Sequence, residues 1–138
     1  MIAYRVRDYK QNFEKADMRK CAHARWVAVP NRMDGKGFRR VANHDHNVSL
    51  FAAWVLIVEV ASKMPERGLL VDEDGPLDAD DLAVMTGFPA EIFAMAFVAL
   101  CDKRIGWLER VSGEFPGSAR APSGEHPDTV RGLPDYIT

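Results

Sequence analysis

The hydrophobic side chains of this sequence are most concentrated over residues 48–61, where only Ser49 and Glu59 are polar. A helix that is apolar around nearly its whole circumference is typical of a central helix covered by its neighbours. Asn47 and Ser49 are alternative N-caps, and Pro65 prevents the helix from continuing. Because the run is too short to cross a bilayer, the pattern predicts the main core helix of a globular domain.

Two shorter helices are predicted on either side of the turn Thr86–Pro89. Asp78 is a suitable N-cap for the first of them. Gly87 can adopt the left-handed conformation that ends a helix, and Pro89 suits the first turn of the next one. The second helix extends over residues 90–100. The turn is therefore specified by the chemistry of its residues as well as by their spacing.

Short strands are predicted in four places. Residues 1–9 alternate with a period of two, which is typical of a half-buried strand. The side chains on the apolar face of that strand are Ile2, Tyr4 and Val6. Residues 25–29, 69–71 and 103–111 also have strand-forming composition and lie near turn signals. We expect the strand over residues 103–111 to pair with the one over residues 69–71.

The order of these elements outlines a winged helix-turn-helix, in which two helices around a tight turn are followed by a strand. We therefore predict an α+β fold with three parts. Residues 1–47 form a basic N-terminal extension that supplies two strands and packs on the core. Residues 48–111 form the winged-helix domain. Residues 112–138 are rich in Gly and Pro, and we expect a flexible tail there.

The formal net charge of −2 conceals a strong asymmetry along the chain. Residues 1–47 contain 11 Lys and Arg against 5 Asp and Glu, whereas residues 48–111 contain 5 against 11. This separation predicts a basic face beside an acidic one. Clustered cations neutralise phosphates together, although a solvated surface is the alternative interpretation. The candidate nucleic-acid contacts in the basic half are Lys20, Arg25, Arg32, Lys36, Arg39 and Arg40.

The second helix of the pair is poorly suited to reading DNA bases. Residues 90–100 contain no Lys, Arg, Asn, Gln, Ser or Thr, and their one charge, on Glu91, repels phosphate. We expect this helix to pack in the core or to bind a protein. Its expected inward side chains are Ile92, Phe93, Phe97 and Leu100. Lys103 and Arg104 follow it, and they either contact a nucleic-acid backbone or complement the helix dipole.

Several short motifs are spread between Tyr4 and Val111. They are Tyr4-Arg5-Val6-Arg7-Asp8-Tyr9, Phe13-Glu14, Trp26-Val27-Ala28-Val29-Pro30-Asn31, Leu50-Phe51-Ala52-Ala53-Trp54, Val60-Ala61-Ser62-Lys63, Arg67-Gly68, Asp81-Leu82-Ala83, Thr86-Gly87-Phe88-Pro89 and Gly106-Trp107-Leu108. Together they resemble phage and prophage proteins that have an N-terminal winged-helix domain and are related to replisome organisers and replication-initiation proteins. The resemblance implies binding to double-stranded DNA at a phage origin or operator, in the cytoplasm of a bacterial host cell. It also implies a replisome protein as a further partner.

No pattern for catalysis or metal binding is evident in the sequence. It contains no P-loop, nucleophile elbow or GxGxxG, so we expect neither an enzyme nor a cofactor. His44-Asp45-His46 lacks a supporting metal motif and is interpreted as a turn. An acidic strip lacks the spacing of a calcium loop, so it is either solvated charge or a surface for a basic partner. The acidic strip consists of Asp72, Glu73, Asp74, Asp78, Asp80 and Asp81.

These observations favour a DNA-binding protein of the phage type that acts in DNA replication initiation or its control. The alternative is a non-enzymatic protein–protein interaction module that uses the apolar helix 90–101 or the acidic strip. Cys21 and Cys101, without a CxxC motif, indicate inert thiols in a cytoplasmic protein. The position of the cations discriminates between the two functions, because cations that form one face with the hairpin wing favour DNA and scattered cations favour a protein partner.

Overall fold

The computed structural model describes residues 1–14, 27, 29 and 35–115. Within these residues the protein is α+β, with five helices and two small antiparallel sheets. The elements in chain order are β1 (Ile2–Val6), α1 (Tyr9–Asn12), α2 (Lys36–Ala42), α3 (Asn47–Ala61), β2 (Val71–Asp72), β3 (Gly75–Pro76), α4 (Ala79–Thr86), α5 (Ala90–Ala99) and β4 (Leu108–Ser112).

Helix α3 is the central element, as its hydrophobic pattern predicts. It packs against α2, α4, α5 and β1, and its side chains Leu50 and Ile57 are fully buried. The expected N-cap is wrong, however, because the capping position belongs to His46, whose side chain makes no capping bond. Asn47 instead donates from Nδ2 to the carbonyl oxygen of Ala42 over 2.9 Å. That bond ties the start of α3 to the end of α2.

Helices α4 and α5 form the expected pair around a tight turn. Asp78 caps α4 by accepting from the backbone N–H of Asp81 over 2.8 Å, and Asp81 accepts in return from the N–H of Asp78 over 2.9 Å. This reciprocal capping box satisfies two backbone donors that the helix itself leaves unpaired. Gly87 ends α4 with φ at 79°, a left-handed conformation that glycine adopts without steric cost. Pro89 then precedes the first turn of α5.

The order of the strands differs from the expected one. Strand β4 pairs antiparallel with β1, from Ile2 opposite Ser112 to Val6 opposite Leu108. The segment after α3 lies along the other edge of β1, where Val6 donates its N–H to the carbonyl of Gly68 over 2.7 Å. The expected pairing of residues 69–71 with residues 103–111 is therefore wrong, because β1 lies between them. Both edges of β1 need backbone partners, and these two segments supply them.

Strand β1 is covered on both faces. Val6 is buried in the main core, and the ring of Tyr4 stacks on Phe97 with centroids 4.0 Å apart. Ala3 on the opposite face is also buried, in a small cluster with the side chains of Leu69 and Val71. The simple alternation of exposed and buried positions is thus wrong at Ala3, and also at Ile2, which is exposed.

The N-terminal segment is held to the core by a buried ion pair. Arg67 Nη1 lies 2.6 Å from Glu14 Oε1, and both side chains are largely buried. Gly68 packs directly under Tyr9, since a Cβ at that glycine would lie 2.7 Å from Tyr9 Cβ. Burial, followed by the nearby charge of Glu14, raises the pKa of Tyr9. The turn after α3 therefore holds the N-terminal segment against the core in two ways. Arg67 supplies a charge for Glu14, and Gly68 leaves space for Tyr9.

Two predicted regions fall largely outside the described residues. The strand over residues 25–29 is described only at Val27 and Val29, and Val27 packs against the main core. Of the expected tail, residues 112–115 are described. Phe115 packs against the small cluster around Ala3, while residues 116–138 lie outside the described part.

We predict that Phe93→Ala lowers the free energy of unfolding by about 3–5 kcal/mol, because a fully buried ring is replaced by a cavity. Val98→Ala on the same helix is the control. Val98 is 69% exposed, so its truncation should change stability by less than about 0.5 kcal/mol. Chemical denaturation followed by circular dichroism measures both values. Equal losses in the two variants would contradict the packing of α5 described above.

We predict that Asp78→Ala lowers the free energy of unfolding by about 1 kcal/mol, because it removes the carboxylate that accepts from the backbone N–H of Asp81 at the start of α4. Asp80→Ala is the matched control. Asp80 lies in the same helical turn without forming the box, and burial and the charge of Asp78 raise its pKa. Denaturation of both variants at neutral pH should show a clear loss for Asp78→Ala alone.

Candidate nucleic-acid interface

Helix α2 presents three of the predicted cations on one side. Lys36, Arg39 and Arg40 are all exposed, and positions separated by three or four residues are neighbours on a helix surface. The opposite side of α2 is apolar. Val41 is buried there, and the ring of Phe38 meets Phe51 edge to face, with centroids 6.0 Å apart. The amphipathic pattern of α2 thus fixes the direction in which its cations point.

A glycine allows α2 to lie directly on the loop that precedes β4. A Cβ at Gly37 would be 3.0 Å from Trp107 Nε1 and 3.2 Å from the carbonyl oxygen of Ile105. The ring of Phe38 also approaches Trp107, with centroids 6.5 Å apart. These contacts bring the cations of α2 next to the loop that carries Lys103 and Arg104.

The pKa of Asp102 reflects the position of α2 next to this loop. Hydrogen bonds from Arg104 lower the pKa of the Asp102 carboxyl, and the charge of Arg40 on α2 lowers it further. Arg104 Nη2 lies 3.3 Å from Asp102 Oδ2 in an exposed ion pair. We define the basic cluster as Lys36, Arg39, Arg40, Lys103 and Arg104, with Asp102 as a carboxylate among them.

Arg7 adds a cation that the sequence does not single out. Its N–H donates to the carbonyl of Trp107 over 3.1 Å, and its guanidinium Nη1 would lie 2.9 Å from a Cβ at Gly106. No local pattern predicts this position, because it depends on the pairing of β1 with β4. The predicted contacts Lys20, Arg25 and Arg32 lie outside the described residues.

Helix α5 offers little to a nucleic acid. Phe93, Phe97 and Leu100 are buried as expected, whereas Ile92 is only partly buried. The side chains exposed along the helix are Glu91, Ala94 and Val98. This outward surface contains no cation and no amide side chain, so it lacks the groups that commonly pair with guanine and adenine edges.

The acidic strip divides into two parts. Asp72, Glu73 and Asp74 lie at the β2–β3 hairpin, while the other three residues lie at the start of α4. Asp78 and Asp81 are engaged in the capping box described above. The β2–β3 hairpin is therefore acidic, and it is not a source of cations for phosphate binding.

The remaining polar candidates have structural explanations. The backbone N–H of His46 donates to Nδ1 of His44 over 3.0 Å, so the His44–His46 segment forms a turn as expected. Within the described residues, no three His, Cys, Asp or Glu side chains are grouped to hold a metal. Burial raises the pKa of the Cys101 thiol, which makes it less reactive. Cys21 lies outside the described residues.

A cavity of about 730 Å³ opens beside the basic cluster. Five aromatic side chains, which we call the aromatic row, line it together with Arg7 and Asp8. The aromatic row consists of Phe13, Trp54, Trp107, Phe38 and Phe51. Neighbouring centroids along the row are 5.5, 5.1, 6.5 and 6.0 Å apart. These rings come from distant parts of the chain, so no local sequence motif predicts the cavity.

Comparison of the chain with protein-family models, with curated proteins and with solved structures gave no match. Among the helices of the described residues, none has both the length and the apolar character needed to cross a membrane. Within the described residues, the candidate site consists of the basic cluster and the adjoining aromatic cavity.

Proposed function

We propose that this protein is a winged-helix protein of the phage type that binds double-stranded DNA through its basic cluster. In this proposal it acts in DNA replication initiation or its control, as a binding protein rather than an enzyme. The observation that carries the proposal is the exposure of three cations on α2, next to the loop over residues 102–104, where the charge of Arg40 acts on Asp102.

The arrangement of the helices supports the winged-helix part of the proposal. Helices α3, α4 and α5 pack against one another, and α4 and α5 are joined by a tight turn at Gly87. Strand β4 follows them and adds to a sheet. This order of elements is compatible with a helix-turn-helix unit next to a small sheet.

The proposed mode of binding differs from major-groove reading by the second helix of the pair. Cations on α2 and on the loop meet phosphates and release counterions, which gives affinity for any duplex sequence. Helix α5 contributes packing. Its exposed residue Glu91 is negatively charged and therefore repels phosphate. Affinity in this mode depends strongly on salt concentration and weakly on base sequence.

We predict that replacing Lys36, Arg39 and Arg40 together with Ala weakens duplex binding at every sequence. Each lost phosphate contact lowers the slope of log affinity against log salt by about 0.9, so the slope should fall by up to about three units. Fluorescence anisotropy with a labelled duplex of mixed sequence measures this over about 50–200 mM salt.

Two variants control for this experiment. Lys63→Ala removes an exposed cation just beyond the opposite end of α3, about 20 Å from the end that α2 contacts. Glu91→Ala removes the charge on α5. Neither should reduce duplex affinity. Unchanged binding in the triple variant would move the site elsewhere, and the absence of duplex binding at low salt would refute the proposal.

We predict that Asp102→Asn strengthens duplex binding by about two- to fivefold at low salt, because it removes a carboxylate from the basic cluster without changing the size of the side chain. The lowered pKa of Asp102 keeps this group ionised throughout the neutral range, so the gain should not depend on pH between 6 and 8. Anisotropy at three pH values checks the prediction. Weaker binding of the variant would indicate that Asp102 is needed to position Arg104.

A protein-interaction module is the second candidate function, and exposed apolar side chains on α4 and in the turn that follows it favour this function. Val84 is 72% exposed, and Met85 and Phe88 nearby are also exposed. Exposed apolar patches commonly mark protein contacts. A replisome protein is the proposed partner in this case, and loss of partner binding in Val84→Asp, with duplex binding retained, would separate the two functions.

A further inference from the structure

We propose that the aromatic cavity binds a nucleobase that carries a phosphate. The volume of about 730 Å³ lies within the range of pockets that hold small organic ligands, which is about 300–1,000 Å³. Its wall combines aromatic rings with a few polar groups, which is the usual composition of such a pocket. The cavity lies next to the basic cluster, so a ligand with both a flat ring and negative charge suits its surroundings.

The aromatic row provides the surface for a flat ring. Trp54 is buried, while Phe38, Phe51 and Trp107 are partly exposed. Every nucleobase has a π-face, and stacking on aromatic side chains is the common way in which proteins hold an unpaired base. The tilt of 40° between Trp54 and Trp107 leaves the two rings out of parallel contact with each other.

Arg7 and Asp8 provide the polar groups. A guanidinium presents a rigid fork that matches phosphate oxygens, and Arg7 places one over Gly106 at the cavity wall. A carboxylate accepts hydrogen bonds from the amino and ring N–H groups of bases. Asp8 precedes α1, yet its carboxylate does not cap that helix. Its backbone, with φ at 52°, is the one left-handed conformation of a non-glycine residue within the described part of the chain.

The position of α2 connects the cavity to the basic cluster. Gly35, Gly37 and Phe38 line the cavity, while Lys36 between them belongs to the cluster. One helix thus presents cations to phosphates and a ring to a base. The ligand is either a free nucleotide or an unpaired base within a single strand, and neither source depends on the proposed binding of duplex DNA.

The test uses the full chain and its tryptophan fluorescence, because Trp54 and Trp107 line the cavity. The probes are adenosine monophosphate, adenosine, ribose 5-phosphate, a single-stranded oligonucleotide and its fully paired duplex. We expect saturable quenching by the nucleotide or the single strand. Ribose 5-phosphate, which lacks a base, should bind at least about fivefold more weakly than the nucleotide if stacking contributes.

Two variants locate the binding. Phe38→Leu removes a ring but keeps an apolar side chain, and it should lower the affinity for the base-bearing ligand at least about fivefold. Arg7→Gln should abolish the preference for adenosine monophosphate over adenosine. Phe88→Leu is the matched control, since Phe88 lies in the turn between α4 and α5 and does not line the cavity. Circular dichroism confirms that each variant remains folded.

The outcomes separate this inference from the proposed function. Duplex binding without any response to nucleotide or single strand overturns the inference and leaves the proposed function intact. Nucleotide binding that Phe38→Leu weakens, without duplex binding, supports the inference and refutes the proposed function. Binding that neither cavity variant changes overturns the inference, because the ligand then lies elsewhere. A response to the single strand alone identifies the unpaired base as the source.

Discussion

Strand β1 is bonded along both of its edges, and much of the molecule depends on this arrangement. Leu108 and its neighbours in β4 pair with one edge, and residues 68–70 bond to the other. The strand is short, but it carries Val6 into the main core and ends directly before Arg7 and Asp8. The position of β1 therefore determines the cavity wall, the placement of α1 and the completion of the sheet.

The close contact at Gly37 has a comparable role for the basic cluster. A Cβ at this position would lie 3.0 Å from Trp107 Nε1 and 3.2 Å from the carbonyl oxygen of Ile105, so α2 or the loop would have to shift slightly. Since interiors are packed too tightly to absorb even one extra methyl group without movement, the glycine sets the distance between α2 and the loop. The cations of both elements then act on one region of the surface, and the field of the cluster is stronger than that of its separate parts.

The helices were largely predictable from the sequence, whereas the relations between distant segments were not. The apolar run of α3, the capping residue Asp78 and the glycine at the end of α4 are local signals, and the structure confirms each of them. The strand order could not be predicted in this way, because an alternating pattern does not identify the strand with which it pairs. The basic residues of α2 could be identified from the sequence, but their position near Arg104 depends on tertiary packing.

The cavity illustrates the same limit in the candidate site. Its aromatic residues are ordinary core-forming types, and Phe13 and Trp107 are far apart along the chain. Only the tertiary arrangement turns them into one wall. Burial at Trp54 follows from its place in an apolar helix, while the open space beside it depends on how α2 and the β4 loop meet.

The pairing of β1 with β4 also has a consequence for how the chain is made. These strands are more than 100 residues apart, so the sheet can close only after residue 112 has left the ribosome. Until then β1 waits with an unpaired edge, which is the kind of backbone that other chains can capture. Helices α3, α4 and α5 need contacts of much shorter range and can assemble earlier. Strand β1 is thus among the last elements of the described fold to reach its final position.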